Sequence, residues 1–377
     1  MVTTDFQQIF GTKYPIVQAG MGPYDTTKLA MHVADAGALG LISCVGMGSF
    51  TMPNIGEFRY STIFENATPE KLLEHSIDSV LAHIKNNPNA KFGVNIPVSE
   101  EFIPTASRLI HYVIDRLKSD PEAKKKLRAI FTSAGDPLPW SVNPGDKKID
   151  TPLASSIAIK KELPDVVWVH VVPSVRAAKR AEKANVDVIV ASGREGGAHC
   201  AWRDTSSMVL IPEVVQSVKK PVIAAGGFCD GRSLVAALAF GAIGIQMGTR
   251  FIATQEAEFA KEWKDIIVRS TEEDALVARG FFGPMRFLRN NRAIALVDAT
   301  LRGAPDLYKG NPTGSSQEIL DLEIGGLDNL LKGDIDNTPV LGGTVAGRCH
   351  DIPKVKELCE RIMKEADERL ALLRQLK

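Results

Sequence analysis

Short apolar runs alternate with amphipathic segments along most of this chain. The apolar runs are rich in Val and Ile and are continuous, which is typical of strands buried on both faces of a parallel sheet. Eight such runs occur, at 14–18, 39–44, 90–98, 127–133, 165–172, 186–192, 220–227 and 243–248. Because a segment with helical periodicity follows each run, the pattern predicts eight strand–helix units.

The number of units indicates the architecture. Eight strand–helix units match the (β/α)8, or TIM, barrel, whose usual size is about 250 residues. A doubly wound dinucleotide fold is the rival, but it would carry G-x-G-x-x-G after its first strand. The stretch GMGPYD (20–25) supplies only the first two glycines, and Asp25 occupies the third place. We therefore predict a single α/β domain over residues 1–377, built as a TIM barrel.

The chain is longer than a minimal barrel, and the extra length falls outside the eight units. We expect loop insertions at about 45–68 and 280–340, and a C-terminal helical extension in KVKELCERIMKEADERLALLRQL (354–376). The extension is a candidate interface for a homo-oligomer, although the sequence leaves the oligomeric state open.

Charge and composition exclude several classes of function. Lys and Arg total 45 and Asp and Glu total 45, so no basic field favours nucleic acid or a membrane surface. No run of 18 apolar residues and no secretory signal is present. The 5 cysteines are widely spaced and form no C-x-x-C pair, which indicates reduced thiols and no zinc site. We expect a cytoplasmic protein without a metal.

Unusual residues cluster after the predicted strands, where the active site of a TIM barrel lies. AGMGPYD follows the first strand, Asn95 ends the third, SAGDPLPW follows the fourth, and SGREGGAHC follows the sixth. Gly226 and Gly227 follow the seventh strand, and Gly248 and Thr249 follow the eighth. These last two loops are the usual phosphate site of the fold, and we expect free backbone amides there with helix N-termini behind them. The alternative is that the glycines only form a tight turn.

Several motifs resemble one enzyme family. PIVQAGMG, FGVN, SAGDP, GREGGAH, PVIAAGGFCDGRSLVAALAFGAIGIQMGTRFIAT and VLGGTVAGRCHDIP are similar to segments of the nitronate monooxygenase family. That family was formerly called 2-nitropropane dioxygenases, and its barrel is shared with FMN-dependent enoyl-ACP reductases and quinone reductases. The resemblance covers most of residues 11–365 and implies one noncovalently bound FMN.

The resemblance assigns roles to particular residues. It implies that Ala19, Gly20 and Met21 run under the flavin ring and that Asn95 hydrogen-bonds it. It implies that the sixth loop meets the cofactor at Ser192 and Gly197. It implies that the phosphate and ribityl chain are held by Gly226, Gly227, Gln246, Met247, Gly248 and Thr249. It places His199 at the substrate side of the flavin, as the catalytic residue.

The sequence departs from the family pattern at four places. Gly20 stands where relatives often have Pro, and Ser192 where they often have Gln. The histidine motif is Glu-Gly-Gly-Ala-His instead of Glu-Ala-Gly-Gly-His or Glu-Ser-Gly-Gly-His, and Thr344 stands where many relatives carry Gln. These changes bear more on substrate identity than on cofactor binding.

The histidine of the sixth loop suits proton transfer, because an imidazole with a pKa near 6.5 exchanges protons close to neutrality. His199 would remove the α-proton of a nitroalkane, orient or neutralise a nitronate anion, or assist an enoyl thioester. The alternative is a surface histidine without a role. We interpret His170 as a core residue, Cys200 as a bystander, and Glu195 as a brace for the loop.

Three arginines in MRFLRNNR, at positions 286, 289 and 292, are spaced as if they shared one face of a helix. The spacing favours a solvated basic stripe, and the alternatives are a site for a phosphate of CoA or NADPH or a contact with a neighbouring subunit.

Three functions remain open on the sequence. The first is oxidation of alkyl nitronates by O2 through FMN. The second is NAD(P)H-dependent reduction of an enoyl thioester or a quinone in the same site. The third is binding of a flavin or phosphate ligand without catalysis, against which the histidine and glycine loops argue. In each case the partner is a small molecule.

Overall fold

The computed structural model describes most of the chain. The described residues are 2–22, 25–45, 47, 50–52, 56–58, 67–99, 102–141, 158–200, 205–280, 283–303, 316–331 and 333–376.

Strands and α-helices are numbered in chain order. The strands are β1 (Ile16–Gln18), β2 (Leu39–Ser43), β3 (Phe50–Met52), β4 (Gly56–Phe58), β5 (Lys91–Pro97), β6 (Leu127–Ser133), β7 (Val167–Val172), β8 (Val188–Ser192), β9 (Ala198–His199), β10 (Val222–Ala225), β11 (Gly244–Met247), β12 (Ala275–Gly280) and β13 (Gly283–Leu288). The helices are α1 (Asp5–Phe10), α2 (Thr27–Asp35), α3 (Pro69–Ile84), α4 (Ile103–Ser119), α5 (Pro121–Lys126), α6 (Ile159–Glu162), α7 (Val175–Lys183), α8 (Ser207–Ser217), α9 (Gly231–Ala239), α10 (Thr249–Ile252), α11 (Lys261–Arg269), α12 (Asn291–Gly303), α13 (Gln317–Leu331) and α14 (Val355–Leu373).

Eight parallel strands close into a barrel in the order β1, β2, β5, β6, β7, β8, β10, β11, and β11 pairs back with β1. Each strand lies within one of the eight predicted apolar runs, so the predicted TIM barrel is confirmed. The closure is in register, with Ile16 opposite Ile245 and Val17 opposite Gln246. Parallel neighbours place all their carboxyl ends at one rim, which therefore gathers the loops that carry chemistry.

Apolar side chains fill the inside of the barrel. They come from six of the strands and include Val17, Leu41, Phe131, Val169, Val190 and Ile223. Phe6 and Phe10 of α1 join this cluster from the amino-terminal end, with ring centroids 4.5 Å apart. The sequence pattern did not predict this helix. It begins with a capping box in which Thr4 and Gln7 satisfy each other's backbone amides.

The C-terminal helical extension is confirmed as α14. Its buried face includes Leu358, Ile362 and Met363, and it packs against α9 on the outside of the barrel. A further contact is the hydrogen bond from the Gly231 amide to the Glu365 carboxylate, at 3.0 Å. This face of the helix therefore belongs to the core of its own chain.

A second, antiparallel sheet follows the barrel and contains β12, β13 and β9 in that order. It includes Arg286, which lies in β13, whereas Arg289 follows that strand and Arg292 lies in α12. The prediction that these arginines share a helix face is wrong. All six residues of β13 are buried, and α12 begins only after Asn290, whose side chain accepts from the Ala293 amide at 2.8 Å.

The predicted insertion at 45–68 contains β3 and β4, which pair antiparallel. Residues 46, 48–49, 53–55 and 59–66 of this insertion lie outside the described residues. Across the described part of the chain, no helix is both long enough and apolar enough to cross a membrane.

Candidate active site

The carboxyl ends of the strands bring the predicted site residues to one rim. Pairing continues past the end of β1, because the Ala19 amide donates to the Met247 carbonyl at 2.8 Å. Around the same rim, Ser192 of β8 is in register with Ala225 of β10, which is in register with Gln246 of β11. Residues far apart in the sequence are therefore neighbours, as the barrel predicts.

The first loop of the rim, which follows β1, lies against Asn95. A side chain at position 20 would overlap the amide of Asn95, so only Gly20 allows this approach. Asn95 is buried, and its Oδ1 accepts a hydrogen bond from the Ser133 hydroxyl at 3.2 Å. Its carbonyl accepts from the Cys44 amide at 2.8 Å. Sequence reasoning missed Ser133, whose signal was its place as the last residue of a barrel strand.

The first and eighth loops contact each other. A Cβ atom at Gly248 would lie 3.5 Å from both the Ala19 Cβ and the Met21 Sδ. Thr249 is buried beside them, and its Oγ1 accepts from the Gly343 amide at 3.0 Å. The structure thus joins the loop predicted to lie under the flavin with the loop predicted to bind its phosphate.

The seventh loop, which follows β10, has a backbone conformation that only glycine adopts easily. Gly226 and Gly227 have φ angles of +84° and +87°. A Cβ atom at Gly226 would lie 2.6 Å from the Gly193 carbonyl oxygen of the neighbouring loop. We refer to Gly226 and Gly227 as the glycine turn. It is both a turn that a residue with a side chain would strain and a place where another backbone comes close.

The helix behind the glycine turn is already capped. Asp230 accepts from the Ser233 amide at 2.8 Å, and Glu365 accepts from the Gly231 amide at 3.0 Å. Asp230 is also paired with Arg348. The protein's own carboxylates therefore occupy part of the N-terminus of α9, and the anion site on the loop amides stays a prediction. An anion here would rely on the amides of the loops.

Glu195 braces the sixth loop, which follows β8, as predicted. Its Oε2 accepts from the Ser207 amide at 2.9 Å and lies 2.8 Å from the Ser207 hydroxyl. The same hydroxyl lies 2.6 Å from the Gly226 carbonyl oxygen. The backbone carbonyl of Glu195 accepts from the Thr344 amide at 3.1 Å. Sequence reasoning missed Ser207, although its place at the start of α8 suits a residue that receives the loop.

A late segment of the chain closes over the sixth loop. A Cβ atom at Gly197 would lie 2.6 Å from the Gly342 carbonyl carbon and 2.7 Å from the Gly343 nitrogen. Since Gly343 also bonds Thr249, this segment connects the sixth and eighth loops. The sequence feature that marks this segment is the pair of glycines in VLGGTVAGR. Their contact with the sixth loop could not be inferred from the sequence alone.

His199 lies in β9, a strand of two residues outside the barrel. Met285 of β13 is its partner in the antiparallel pair, and Arg286 pairs with Ala198. The Cys200 amide extends the pairing by donating to the Pro284 carbonyl at 2.8 Å. Gly197, two residues before His199, lies at the rim, so the same loop links the histidine to the other predicted site residues.

The His199 side chain is exposed, yet protein atoms crowd around it. Desolvation there disfavours the imidazolium and lowers the pKa of His199 to about 4. The imidazole is neutral at neutral pH.

His170 is a core residue, as predicted. It is buried within β7, and its Nδ1 lies 2.8 Å from the Thr132 hydroxyl. The same hydroxyl accepts from the Trp168 indole at 3.0 Å. Burial lowers the pKa of His170 to about 4, so the ring is neutral and its polar atoms are used in packing.

The cysteines are free thiols, as predicted. Cys200 is half-buried, and its Sγ lies 3.3 Å from the Ala198 carbonyl oxygen of its own loop. Burial raises the pKa of Cys229 to about 12, which keeps that thiol protonated. Among the described residues, no group of three or more His, Cys, Asp or Glu side chains is arranged to hold a metal ion.

The sequence is similar to proteins described as nitronate monooxygenases. A sequence model described as nitronate monooxygenase matches residues 148–365. Curated proteins of Staphylococcus aureus strains MSSA476 and JH9, each described as a probable nitronate monooxygenase, are 30% identical to this chain over 339 residues. The alignments cover 82% of this chain and 84% of each relative.

Solved structures share the architecture. The chain is similar to FabK from Thermotoga maritima, with 26% identity, a TM-score of 0.73 and 99% of each chain covered. A nitroalkane oxidase from Streptomyces ansochromogenes has the same fold, with a TM-score of 0.68 at 19% identity and coverage of 98% of this chain and 100% of the other.

The barrel, its rim and these relatives define an oxidoreductase of the TIM-barrel class. Within that class, the chain belongs to the nitronate monooxygenase family.

Proposed function

We propose that this enzyme is an FMN-dependent nitronate monooxygenase, in which His199 acts at the substrate side of the flavin and O2 is the oxidant. The observation that carries the proposal is the sixth loop. It contributes Gly197 to the rim and places His199 two residues further on, where its backbone pairs with Met285. Membership of the nitronate monooxygenase family supports the choice of substrate.

The rim fits a flavin mononucleotide. The glycine turn presents backbone in a conformation suited to an anion, and Gly20 brings the first loop onto the buried amide of Asn95. When bound, FMN supplies the redox chemistry, taking electrons from the substrate and passing them to O2. We propose that it is held by Ala19, Gly20, Met21, Asn95, Ser192, Gly197, Gly226, Gly227, Gln246, Met247, Gly248 and Thr249.

The low pKa of His199 indicates the direction of proton transfer. A neutral imidazole is the protonation state that can accept the α-proton of a nitroalkane. Towards a nitronate, which is already an anion, the same ring orients the substrate as a neutral hydrogen-bond donor. Glu195 and the chain around Gly343 fix the backbone that positions the ring.

A second candidate is an NAD(P)H-dependent reductase of an enoyl thioester or a quinone. The likeness to FabK favours it, because 99% of both chains is covered at 26% identity. Reduction of an enoyl thioester also calls for a proton donor at the substrate carbon.

The visible spectrum of the purified protein, recorded before and after anaerobic mixing, tests both candidates. We expect flavin bands that bleach with propyl-2-nitronate and stay unchanged with NADH or NADPH. Rapid bleaching by a nicotinamide alone would identify the reductase instead. Absence of flavin bands, even after FMN is added, would reject both candidates and the cofactor assignment.

A further inference from the structure

Arg286 is a buried cation that the proposed chemistry does not use. Its side chain is 3% exposed, although it lies in the sheet that carries His199. The guanidinium donates through Nε to the Arg194 carbonyl at 3.1 Å and through Nη1 to the Ala275 carbonyl at 3.3 Å. Both acceptors are backbone groups, so the side chain binds main chain.

Burying this charge costs desolvation free energy, which burying an apolar side chain of the same size would not. A buried guanidinium is usually matched by a carboxylate, because an unpaired charge in a protein interior is expensive. In the described part of the chain, no carboxylate forms an ion pair with Arg286, and its Nη2 has no hydrogen-bond partner. Stability alone gives no reason for an arginine here, which points to a role in the site.

The contacts of Arg286 lie at both ends of one loop. Its backbone pairs with Ala198, next to His199, while its side chain binds Arg194, where the loop leaves the barrel. Its carbonyl also accepts from the Gly342 amide at 3.5 Å, in the segment that closes over Gly197. One residue therefore connects the barrel end of the loop, its histidine end and the segment that covers it.

We propose that Arg286 is a positioning residue, which holds the loop of residues 194–198 so that His199 reaches the substrate in one orientation. The rigid fork of a guanidinium suits this task, because its donors reach two carbonyls in fixed directions. The inference rests on the proposed role of His199, but the geometry of the loop can be tested separately from activity.

The test compares Arg286→Met with Arg289→Met in the flavin-loaded enzyme. Arg289 is a matched control, since it lies three residues later, is half exposed and pairs with Asp274. For Arg286→Met we expect kcat to fall about 10- to 100-fold, because small misplacement of a catalytic group has effects of that size. KM and the Kd for FMN should change less than kcat, since most of the residues proposed to hold FMN lie on other loops.

Hydrogen exchange of the amides at 194–200 gives a second measurement, which does not depend on the substrate. Exchange there should accelerate in Arg286→Met while barrel peptides stay protected. Arg286→Lys should give an intermediate result, because it keeps the charge and loses the fork, and it remains informative if the Met variant does not fold.

An unchanged kcat and unchanged exchange at 194–200 would overturn the positioning role. So would a loss of kcat that is matched by loss of FMN or by exchange throughout the barrel, since that pattern is general destabilisation. If His199→Gln keeps full activity while Arg286→Met still loosens the loop, the proposed function fails and the contact itself stands.

Discussion

His199 shows how one side chain depends on the backbone that carries it. Pairing with Met285 fixes its main chain, and desolvation of the ring favours the neutral imidazole. An isolated histidine in a glycine-rich loop would titrate near 6.5. The sequence identified the residue, whereas its charge state follows from a strand that joins the loop from elsewhere in the chain.

The first prediction concerns this residue. His199→Gln should lower kcat/KM for its substrate about 100-fold, a typical contribution of general acid–base catalysis, and should leave bound flavin unchanged. Because the pKa of His199 is lowered to about 4, the wild-type kcat/KM should stay flat near neutrality and fall only in acid. Steady-state kinetics across pH tests this.

His350→Gln serves as the control, since this histidine is exposed and lies outside the proposed site. A wild-type profile that breaks near 6.5 would show that the ring titrates as if in water.

The second prediction concerns the glycine turn. Gly226→Ala should weaken FMN binding about tenfold, because a side chain at φ +84° costs about 1–2 kcal/mol and its Cβ would contact the Gly193 carbonyl. Fluorescence titration of the apoprotein with FMN measures the change. Gly325→Ala is the control: this glycine lies within α13 with no neighbour within 4 Å of an added Cβ, so alanine should stabilise the helix slightly. Equal FMN affinity in both variants would remove the turn from the cofactor site.

Among the elements, α2 illustrates how a loop at the rim is fixed. The helix follows the first loop, and its Lys28 and Leu29 amides donate to the carboxylate of Glu258. Burial raises the pKa of Glu258 to about 7, and the nearby Asp25 adds to the shift. The cap therefore titrates within the physiological range.

The third prediction follows from that cap. The folded protein binds this proton more tightly than the unfolded chain, whose pKa is 4.5. The resulting stability is fully present below pH 4.5 and is lost as pH rises through 7. The loss is on the order of 2–3 kcal/mol. Urea unfolding at pH 5 and pH 8 should show this slope, and Glu258→Gln should remove most of it.

Glu256→Gln is the matched control, because Glu256 lies in the same loop and accepts from the Val355 amide of α14. It should keep the slope of the wild type. If Glu258→Gln keeps the slope as well, the carboxyl ionises normally.

The sequence predicted the barrel strands because each is a continuous apolar run with a helix after it. The sequence-based prediction failed where the periodicity of a segment is ambiguous or the segment is very short. MRFL (285–288) is the clearest case: arginines three apart resembled a helix face, yet every residue of β13 is buried in a sheet. β9 has two residues and no pattern of its own, so its existence depends entirely on β13. Such pairings are tertiary and leave no periodic signal.

At the scale of the whole molecule, the residues that stabilise the barrel and the predicted site residues lie at opposite ends of it. Phe10 and Phe6 close the amino-terminal end of the barrel, whereas the predicted site residues surround the opposite rim. Phe10→Ala should cost about 3–5 kcal/mol of unfolding free energy and leave FMN affinity and kcat unchanged below the melting temperature.

Urea unfolding and FMN titration of the same sample test this fourth prediction. Leu301→Ala is the control, because Leu301 is 69% exposed and should change stability by less than about 0.5 kcal/mol. A weaker Kd for FMN in folded Phe10→Ala would show that the two ends of the barrel are coupled.

At this scale, the sequence predicted which residues meet at the rim, because a closed barrel leaves their loops no other place. It did not predict that the segment around Gly343 lies against the sixth loop, or that Glu365 caps α9. Those contacts join parts of the chain more than a hundred residues apart, and a single sequence carries no record of them.

The dependence of β9 on β13 has a consequence for the protein as it is made. The eighth barrel strand ends at Met247, and β13 begins only at Gly283. On a ribosome, the strands that form the barrel emerge before the strand that pairs with His199 does. A nascent chain in that interval can close its barrel without a histidine in place. The backbone partner of His199 is therefore made only after all eight strands of the barrel.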